Sequence, residues 1–406
     1  MAPDADGSPA STLTAPARRL WPEPAQLSRG TAVPPGNRLV ARYLAVPDAD
    51  EPRLLLPLRP RRAAAAGLRR TGRRSGRLGR AARTAAAAAL AMGAGDLLPG
   101  RTLSVSVPRE GHDGPRTVER MLADALGQPV ALVVQLGRPR ANRKPVVEVV
   151  DTTGRPLAYA KVAVDPLTAR LVAAEAETLR QLAAADLRVV RAPQVLLAQD
   201  GVLVQQALTS GRRPTDADLD LVRAAEDEVA ALSAVPAARL DTTYGSDLRR
   251  RVADVPAGAA RDATLRLVEA LLAGYGRVET RLGTWHGDWT PWNLTVDGGR
   301  VNTWDWERFG GPVPVGFDRL HYELQRDLVV HLAEPPATVA ALLDDAAAGA
   351  ERLRHPATPP DDVLPLACAY LLELATRYLA DGQADAGARL GAVDRWLLPA
   401  VERRLT

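Results

Sequence analysis

Apolar and polar positions alternate in two short runs, Leu39–Val46 and Arg53–Leu58, and the pattern predicts two strands joined by the turn PDADEP. Residues 1–36 hold many Pro and few large apolar side chains, a composition that predicts a disordered tail. Ala63–Arg70 and Arg80–Met92 read as helices. From Thr117 the period changes: a helix over Val118–Leu126, then strands over Ala131–Leu136, Val146–Asp151 and Leu157–Val164, separated by turn-forming residues. Asp165-Pro166 is a helix start, with a capping carboxylate before a first-turn Pro, and the helix runs to about Ala185. Strands over Gln194–Gln199 and Val202–Gln206 complete the order β-β-β-α-β-β, a five-stranded antiparallel sheet with one inserted helix. After Thr209 the period is helical: Ala217–Leu232, Ala263–Leu282, Arg319–Ala333, Ala337–Leu353, Val363–Ala380 and Ala386–Arg404, with short strands at Leu294–Val296 and Val301–Trp306. The expected class is α+β, in four parts: a tail (1–36), an Arg-rich accessory α+β segment (37–115), a sheet lobe (116–208) and a mainly helical lobe (209–406).

Charge modifies this picture in one place. The 52 basic and 48 acidic residues nearly balance, yet no carboxylate stands between Glu51 and Asp96, where eleven Arg do. The Arg59–Arg83 cluster reads either as a solvated basic face or as a contact for a polyanion. No aromatic residue is interleaved for base stacking, and no zinc-finger, helix-turn-helix or RNA-binding signature is present. The single Cys368 lies in an apolar helical run, which excludes an intrachain disulfide and fits a buried thiol in a reducing compartment. No apolar leader opens the sequence, and the small-residue run Ala85–Gly95 is too short to span a bilayer, so a cytoplasmic location is expected.

Candidate chemistry concentrates in Thr284–Gly311, TWHGDWTPWNLTVDGGRVNTWDWERFGG, which holds five of the seven Trp. Asp288 can accept a hydroxyl proton and aim the oxygen at phosphorus. Asn293 and Asp305 offer hard oxygen ligands suited to magnesium, Asp305 on the second short strand between Trp304 and Trp306. His286 reads as a support for the loop rather than a catalyst, and Asp318 as a cap that braces the same segment. Upstream, Lys161 is one of only two Lys and sits among apolar neighbours on a strand. Such a Lys needs a partner. Glu175 falls on the apolar stripe of the following helix with Leu171, Leu179 and Leu182, so a Lys161–Glu175 ion pair is expected.

This compound pattern resembles the aminoglycoside phosphotransferase-like family, relatives of the protein kinases. The resemblance covers Thr117 to the C-terminus. It implies a protein-kinase-like bilobal fold and an ATP- and Mg2+-dependent transfer to a hydroxyl of a small molecule: a sugar, an amino alcohol or an aminoglycoside-like compound. By resemblance Lys161, held by Glu175, contacts the nucleotide phosphates, Asp288 is the base, and Asn293 and Asp305 bind the metal. Adenine would lie against the backbone of the segment around Gln205–Leu208, at Gln206 and Ala207. Two departures stand out: the first loop, GRPRANRKP, is not Gly-rich, and WERFGG follows Asp305 where the family has a small residue and Gly. Trp289 and Trp292 are candidates for a substrate wall, with Trp304 and Trp306 as packing. The acidic run Asp216–Glu228 could meet a cationic antibiotic or simply face water. The alternative to an enzyme is a kinase-like regulatory protein that holds nucleotide without transferring phosphate; the intact Lys, Asp, Asn and Asp set speaks against it.

Overall fold

A computed structural model describes residues 13–406 apart from 72–76, 110–116, 137–140, 209–210 and 234. Residues 1–12, Arg73 and Arg74 of the basic cluster, and residues 137–140 of the GRPRANRKP turn lie outside the described residues. The chain forms two compact units, the division falling inside one helix, and the class is α+β.

The first unit is built on one nine-stranded antiparallel sheet. Its strands in chain order begin with β1 (Gln26–Arg29), β2 (Asn37–Val46), β3 (Leu54–Pro57) and β4 (Thr102–Pro108). They continue with β5 (Ala131–Gln135), β6 (Val146–Val150) and β7 (Pro156–Val162). After β8 (Val190–Arg191), which belongs to the second unit, come β9 (Val195–Gln199) and β10 (Val202–Gln206). The spatial order is β1-β4-β2-β3-β5-β6-β7-β10-β9. The five expected strands are present in their expected antiparallel arrangement along one side.

Two expectations are corrected here. The accessory segment is not separate from the sheet lobe: Leu54 and Leu55 of β3 pair with Gln135 and Val134 of β5, so the sheet runs through the expected boundary. The tail is not disordered through residue 36 either. α1 (Thr14–Leu20) and β1 are formed, and Leu13, Leu20 and Trp21 lie in the sheet's core. Few apolar residues were visible there, but they are large, and Trp21 Nε1 also donates to Glu119 at 2.8 Å.

The helices α2 (Arg61–Arg70), α3 (Arg77–Met92) and α4 (Val118–Leu126) complete this unit. α2 buries Ala63–Gly67, and Gly67 lies so close to Val133 that a side chain there would displace it. Part of the Arg cluster is spent locally: Arg59 and Arg61 pair with Asp96, and Arg70 pairs with the buried Glu148 and donates to the Gly154 carbonyl.

α5 (Pro166–Ala184) leads on, and the second unit contains α6 (Leu219–Ala231), β11 (Val235–Arg239), α7 (Thr243–Ala253), α8 (Ala259–Tyr275) and β12 (Glu279–Trp285). β13 (Leu294–Asp297), β14 (Arg300–Thr303) and β15 (Gly310–Pro314) follow, then α9 (Phe317–Gln325), α10 (Pro335–Ala347), α11 (Val363–Ala380) and α12 (Leu398–Leu405). β12 pairs with β11 and β15, while β14 pairs with β13 and, in parallel, with β8.

Four predicted helices are shortened. The one expected over Ala263–Leu282 stops at Tyr275, capped by the Gly276 amide on the Leu272 carbonyl, and its last residues become β12. The one expected over Ala386–Arg404 is reduced to α12, because the chain turns through Gly387 and Gly391 first. α9 gives way to a wider π turn over Arg326–Val330, and α10 ends before Gly349, which is left-handed. α11 is apolar and long enough to cross a membrane by composition, but most of it is buried in the core with Tyr244, Trp285 and Phe317. Cys368 is buried on it, and burial pushes its thiol up to about 12, so it is an inert packing residue.

Candidate active site

β12 ends at Trp285 and delivers the chain into the turn His286–Asn293. Gly287 takes φ +79°, and a side chain there would strike the Arg308 carbonyl, so only Gly fits. The turn is pinned from α9. Asp318, 5% exposed, accepts the His286 amide at 2.6 Å and the Gly287 amide at 3.0 Å. Burial pushes its carboxyl up to about 7, against the pull of those two donors. The expected bracing role of Asp318 is therefore visible in its contacts.

His286 is fully buried. Its Nε2 lies 3.1 Å from the Trp304 carbonyl, so that nitrogen carries the proton, and Nδ1 accepts the Asp288 amide at 3.1 Å. Burial lowers its pKa to about 4, opposed by Asp288 and Asp305, and the ring is neutral. It supports the loop, as its sequence context suggested. The sign of its linkage follows: below pH 6.5 an unfolded His binds a proton that the folded one refuses until about pH 4. Relative to His286→Gln, the wild type should lose about 3 kcal/mol of stability as pH falls from 6.5 to 4, at about 1.4 kcal/mol per pH unit. Urea unfolding at a series of pH values reads this, and a flat difference curve would contradict it.

The Asp288 carboxylate is held on both oxygens. Asn293 Nδ2 donates to Oδ2 at 2.9 Å and to the Asp288 carbonyl at 3.0 Å, while His321 Nε2 lies 3.3 Å from Oδ1. On its other side, His321 Nδ1 is 2.9 Å from the Tyr370 hydroxyl. Tyr370 is buried, and burial raises its pKa well above the ordinary value. It keeps its proton and donates it to Nδ1, which leaves the Nε2 proton facing Asp288. Burial works to raise the Asp288 pKa, but His321 and Arg377 outweigh it and hold the carboxyl below its usual range. Asp288 remains 36% exposed on its side chain, so an ionised, fixed carboxylate faces an opening.

Asp305 is not on a strand. β14 ends at Thr303, and Asp305 follows in the left-handed conformation, φ 67°, leading into a short turn over Trp306–Arg308. Asp is one of the few side chains that tolerate this backbone. Its charge acts on both His286 and Asp288, which places it in the same site. Among the described residues no group of three or more His, Cys, Asp or Glu could cage a metal ion. The donor set instead suits magnesium bound mainly through phosphates: one carboxylate, Asp305, and the amide oxygen of Asn293, whose nitrogen is already committed to Asp288.

One of the Trp residues sorts differently from expectation. Trp289 is fully buried, so it belongs to the packing and not to a substrate wall. Trp306 is buried and lies against His286, with 4.4 Å between ring centroids and the rings tilted by 49°. Trp292 lines a cavity of about 190 Å3 with Asp288, Gln325 and Tyr378. Arg308 pairs with Asp381 in this wall.

Lys161 is buried on β7, and Glu175 is fully buried on α5. Gln206 is exposed at the end of β10. The Ala207 amide is committed to the Leu157 carbonyl at 3.2 Å, which leaves its carbonyl as the group it can offer. Much of the acidic run is spent internally. Asp218 binds Arg212, Glu226 binds Arg319, Asp227 binds His355, and Glu228 accepts the amides of residues 188–190. Asp216 and Asp220 are exposed.

Sequence reasoning missed His321, Tyr370 and Arg377. Arg377 donates to the Gly287 carbonyl and lies over the Trp285 and Tyr378 rings. A signal existed for His321 alone: it is one of five His and follows Asp318 by three residues, one turn along α9.

The sequence matches no family model and no curated protein. Solved structures do resemble the chain. An aminoglycoside phosphotransferase, the apo form of a thermostable mutant, matches at 17% identity and a TM-score of 0.45, over 71% of this chain and 98% of that one. Amicoumacin kinase in complex with AMP-PNP, Ca2+ and its ligand matches at 14% and 0.40, over 70% and 93%. Choline kinase from Cryptosporidium parvum matches at 10% and 0.40, over 68% and 91%. By name, all three are phosphotransferases or kinases of small molecules.

Proposed function

We propose that this chain is an ATP- and magnesium-dependent phosphotransferase that acts on a hydroxyl of a small molecule. The observation that carries the reading is the fixed Asp288 carboxylate, ionised, partly open, and held by Asn293 and His321. Asp288 accepts the proton of the acceptor hydroxyl as its oxygen bonds to the γ-phosphorus. The bond from that phosphorus to the β–γ bridging oxygen breaks, and ADP leaves with the electron pair. Asp305 and the Asn293 amide oxygen would hold magnesium, which when bound neutralises phosphate charge. In the same reading Lys161, set by Glu175, positions the nucleotide, supported by the burial of both, since buried charges require partners. The backbone at Gln206 and Ala207 receives the adenine. Positioning and charge neutralisation account for most of the rate.

A thermal-shift titration with ATP tests the reading. ATP with Mg2+ should raise the midpoint, by an amount equivalent to about 2.7 kcal/mol at a hundredfold excess over Kd, and a chelator should abolish most of the gain. Product detection then separates transfer from the binding-only alternative. An equal midpoint in all three conditions would sink the reading, and a metal-dependent shift without product from any acceptor would favour the regulatory one.

A further inference from the structure

The outer side of α3 is built the wrong way round for a helix that faces only water. A surface helix turns its apolar stripe to the core and its charges to solvent. α3 does turn Ala87 and Leu90 inward, and Leu90 packs with Ala64 of α2 and with Leu56 and Leu58. Its opposite face, Ala81, Ala85, Ala88 and Met92 at spacings of four, three and four residues, is exposed and carries no charge. Three large apolar side chains stand out at its end: Met92 is 77% exposed, Leu97 79% and Leu98 42%. Single apolar residues scattered over a surface need no explanation, but three within seven residues, continuing an uncharged helix face, form a patch.

The charge around this patch has one sign. No carboxylate stands between Glu51 and Asp96. Asp96, in the turn after α3, pairs with Arg59 and Arg61 together, which leaves that turn with an excess cation, and the Arg61 guanidinium lies against Gly93, next to Met92. Arg62 and Arg69, seven residues apart on one face of α2, and Arg80 near the start of α3 are exposed, and no ion pair holds them among the described residues. A second copy would bring like charges together at this surface. Nucleic acid would answer the charge but not the apolar side chains, and no aromatic ring is interleaved for base stacking. An anionic bilayer answers both: its interface takes projecting apolar side chains without a matching shape, and its headgroups meet the cations. We infer that the outer face of α3 and the turn after it form a peripheral docking surface for an anionic lipid bilayer. Met92, Leu97 and Leu98 enter the boundary between headgroups and acyl chains, and the exposed Arg side chains of α2 and α3 lie among the headgroups. The inference stands apart from the phosphotransferase reading and does not need it.

Co-sedimentation of the full chain with lipid vesicles tests this. Vesicles of phosphatidylcholine carrying about 30% phosphatidylglycerol should bind it about tenfold or more tighter than phosphatidylcholine alone. Raising the salt from about 0.1 M to about 1 M shortens the screening length from about 10 Å to about 3 Å and should release it. Leu97→Ser with Leu98→Ser, which leaves the charge alone at two exposed positions, should weaken binding by about tenfold or more. Arg62→Ala with Arg69→Ala should weaken it by about fivefold per residue, on the anionic vesicles only. Circular dichroism checks the fold of both variants. Binding to neither vesicle, or equally to both, overturns the inference. So does anionic binding that the double Ser variant leaves unchanged, or tighter binding of single-stranded RNA or polyglutamate than of the anionic vesicles, since charge alone would then account for the surface. A dimer that the double Ser variant dissociates, in a protein that binds no vesicle, gives the face to a second copy and overturns it as well.

Discussion

Asp288→Asn should lower phosphoryl transfer by about 10²–10⁴-fold, the range general-base groups contribute, while the protein stays folded. The substitution keeps size and shape, but an amide cannot take the acceptor's proton. It also presents an NH2 where Oδ1 or Oδ2 now accepts from His321 or Asn293, so the geometry loosens as the chemistry fails. The midpoint of thermal unfolding should move little, because the side chain is partly exposed. Nucleotide affinity should change less than turnover. Single-turnover transfer, with circular dichroism as the fold control, makes the comparison. A variant that turns over at the wild-type rate would remove Asp288 from the role of base and leave Asp305 as the carboxylate to examine.

Asp318→Ala should give the larger loss of stability. Two backbone amides, those of His286 and Gly287, would be left buried without an acceptor, and each such group costs about 1–3 kcal/mol. A total of about 2–5 kcal/mol is expected, read by urea unfolding followed through Trp fluorescence. Turnover should fall too, since the turn that presents Asp288 would no longer be anchored to α9. Asp318→Asn should be milder, because its amide oxygen still accepts one of the two. A loss below about 1 kcal/mol for Asp318→Ala would show that the turn is held by its other contacts, such as the Arg377 bond to the Gly287 carbonyl.

The local parts of this molecule were legible in the sequence, and the non-local parts were not. Val118–Leu126 and Val363–Ala380 have the boundaries their periodicity gives, and the five strands from Ala131 to Gln206 lie within a residue or two of theirs. These elements are decided by neighbours a few residues away. The pairing of β3 with β5 is decided by residues about 80 positions apart, Leu54 with Gln135 and Leu55 with Val134, and no local pattern reports it. The same holds in the site. The proximity of Asp288 and Asn293 follows from a short turn. That of Asp288 and His321 crosses 33 residues and depends on where α9 docks. Asp305 was misplaced for another reason: alternation with Trp304 and Trp306 imitates a strand, while the backbone has already turned left-handed.

The unbroken nine-stranded sheet has a practical consequence for anyone who trims this protein. A chain cut to begin near residue 116, where the kinase resemblance starts, would keep every candidate catalytic residue and lose the partner of β5. Leu132, Val133 and Val134, all buried now, would then form the rim of an open sheet, with unpaired amides and carbonyls in a row. Such rims recruit other chains. The trimmed protein is expected to fail by clumping together in the test tube, and the failure would say nothing about its chemistry.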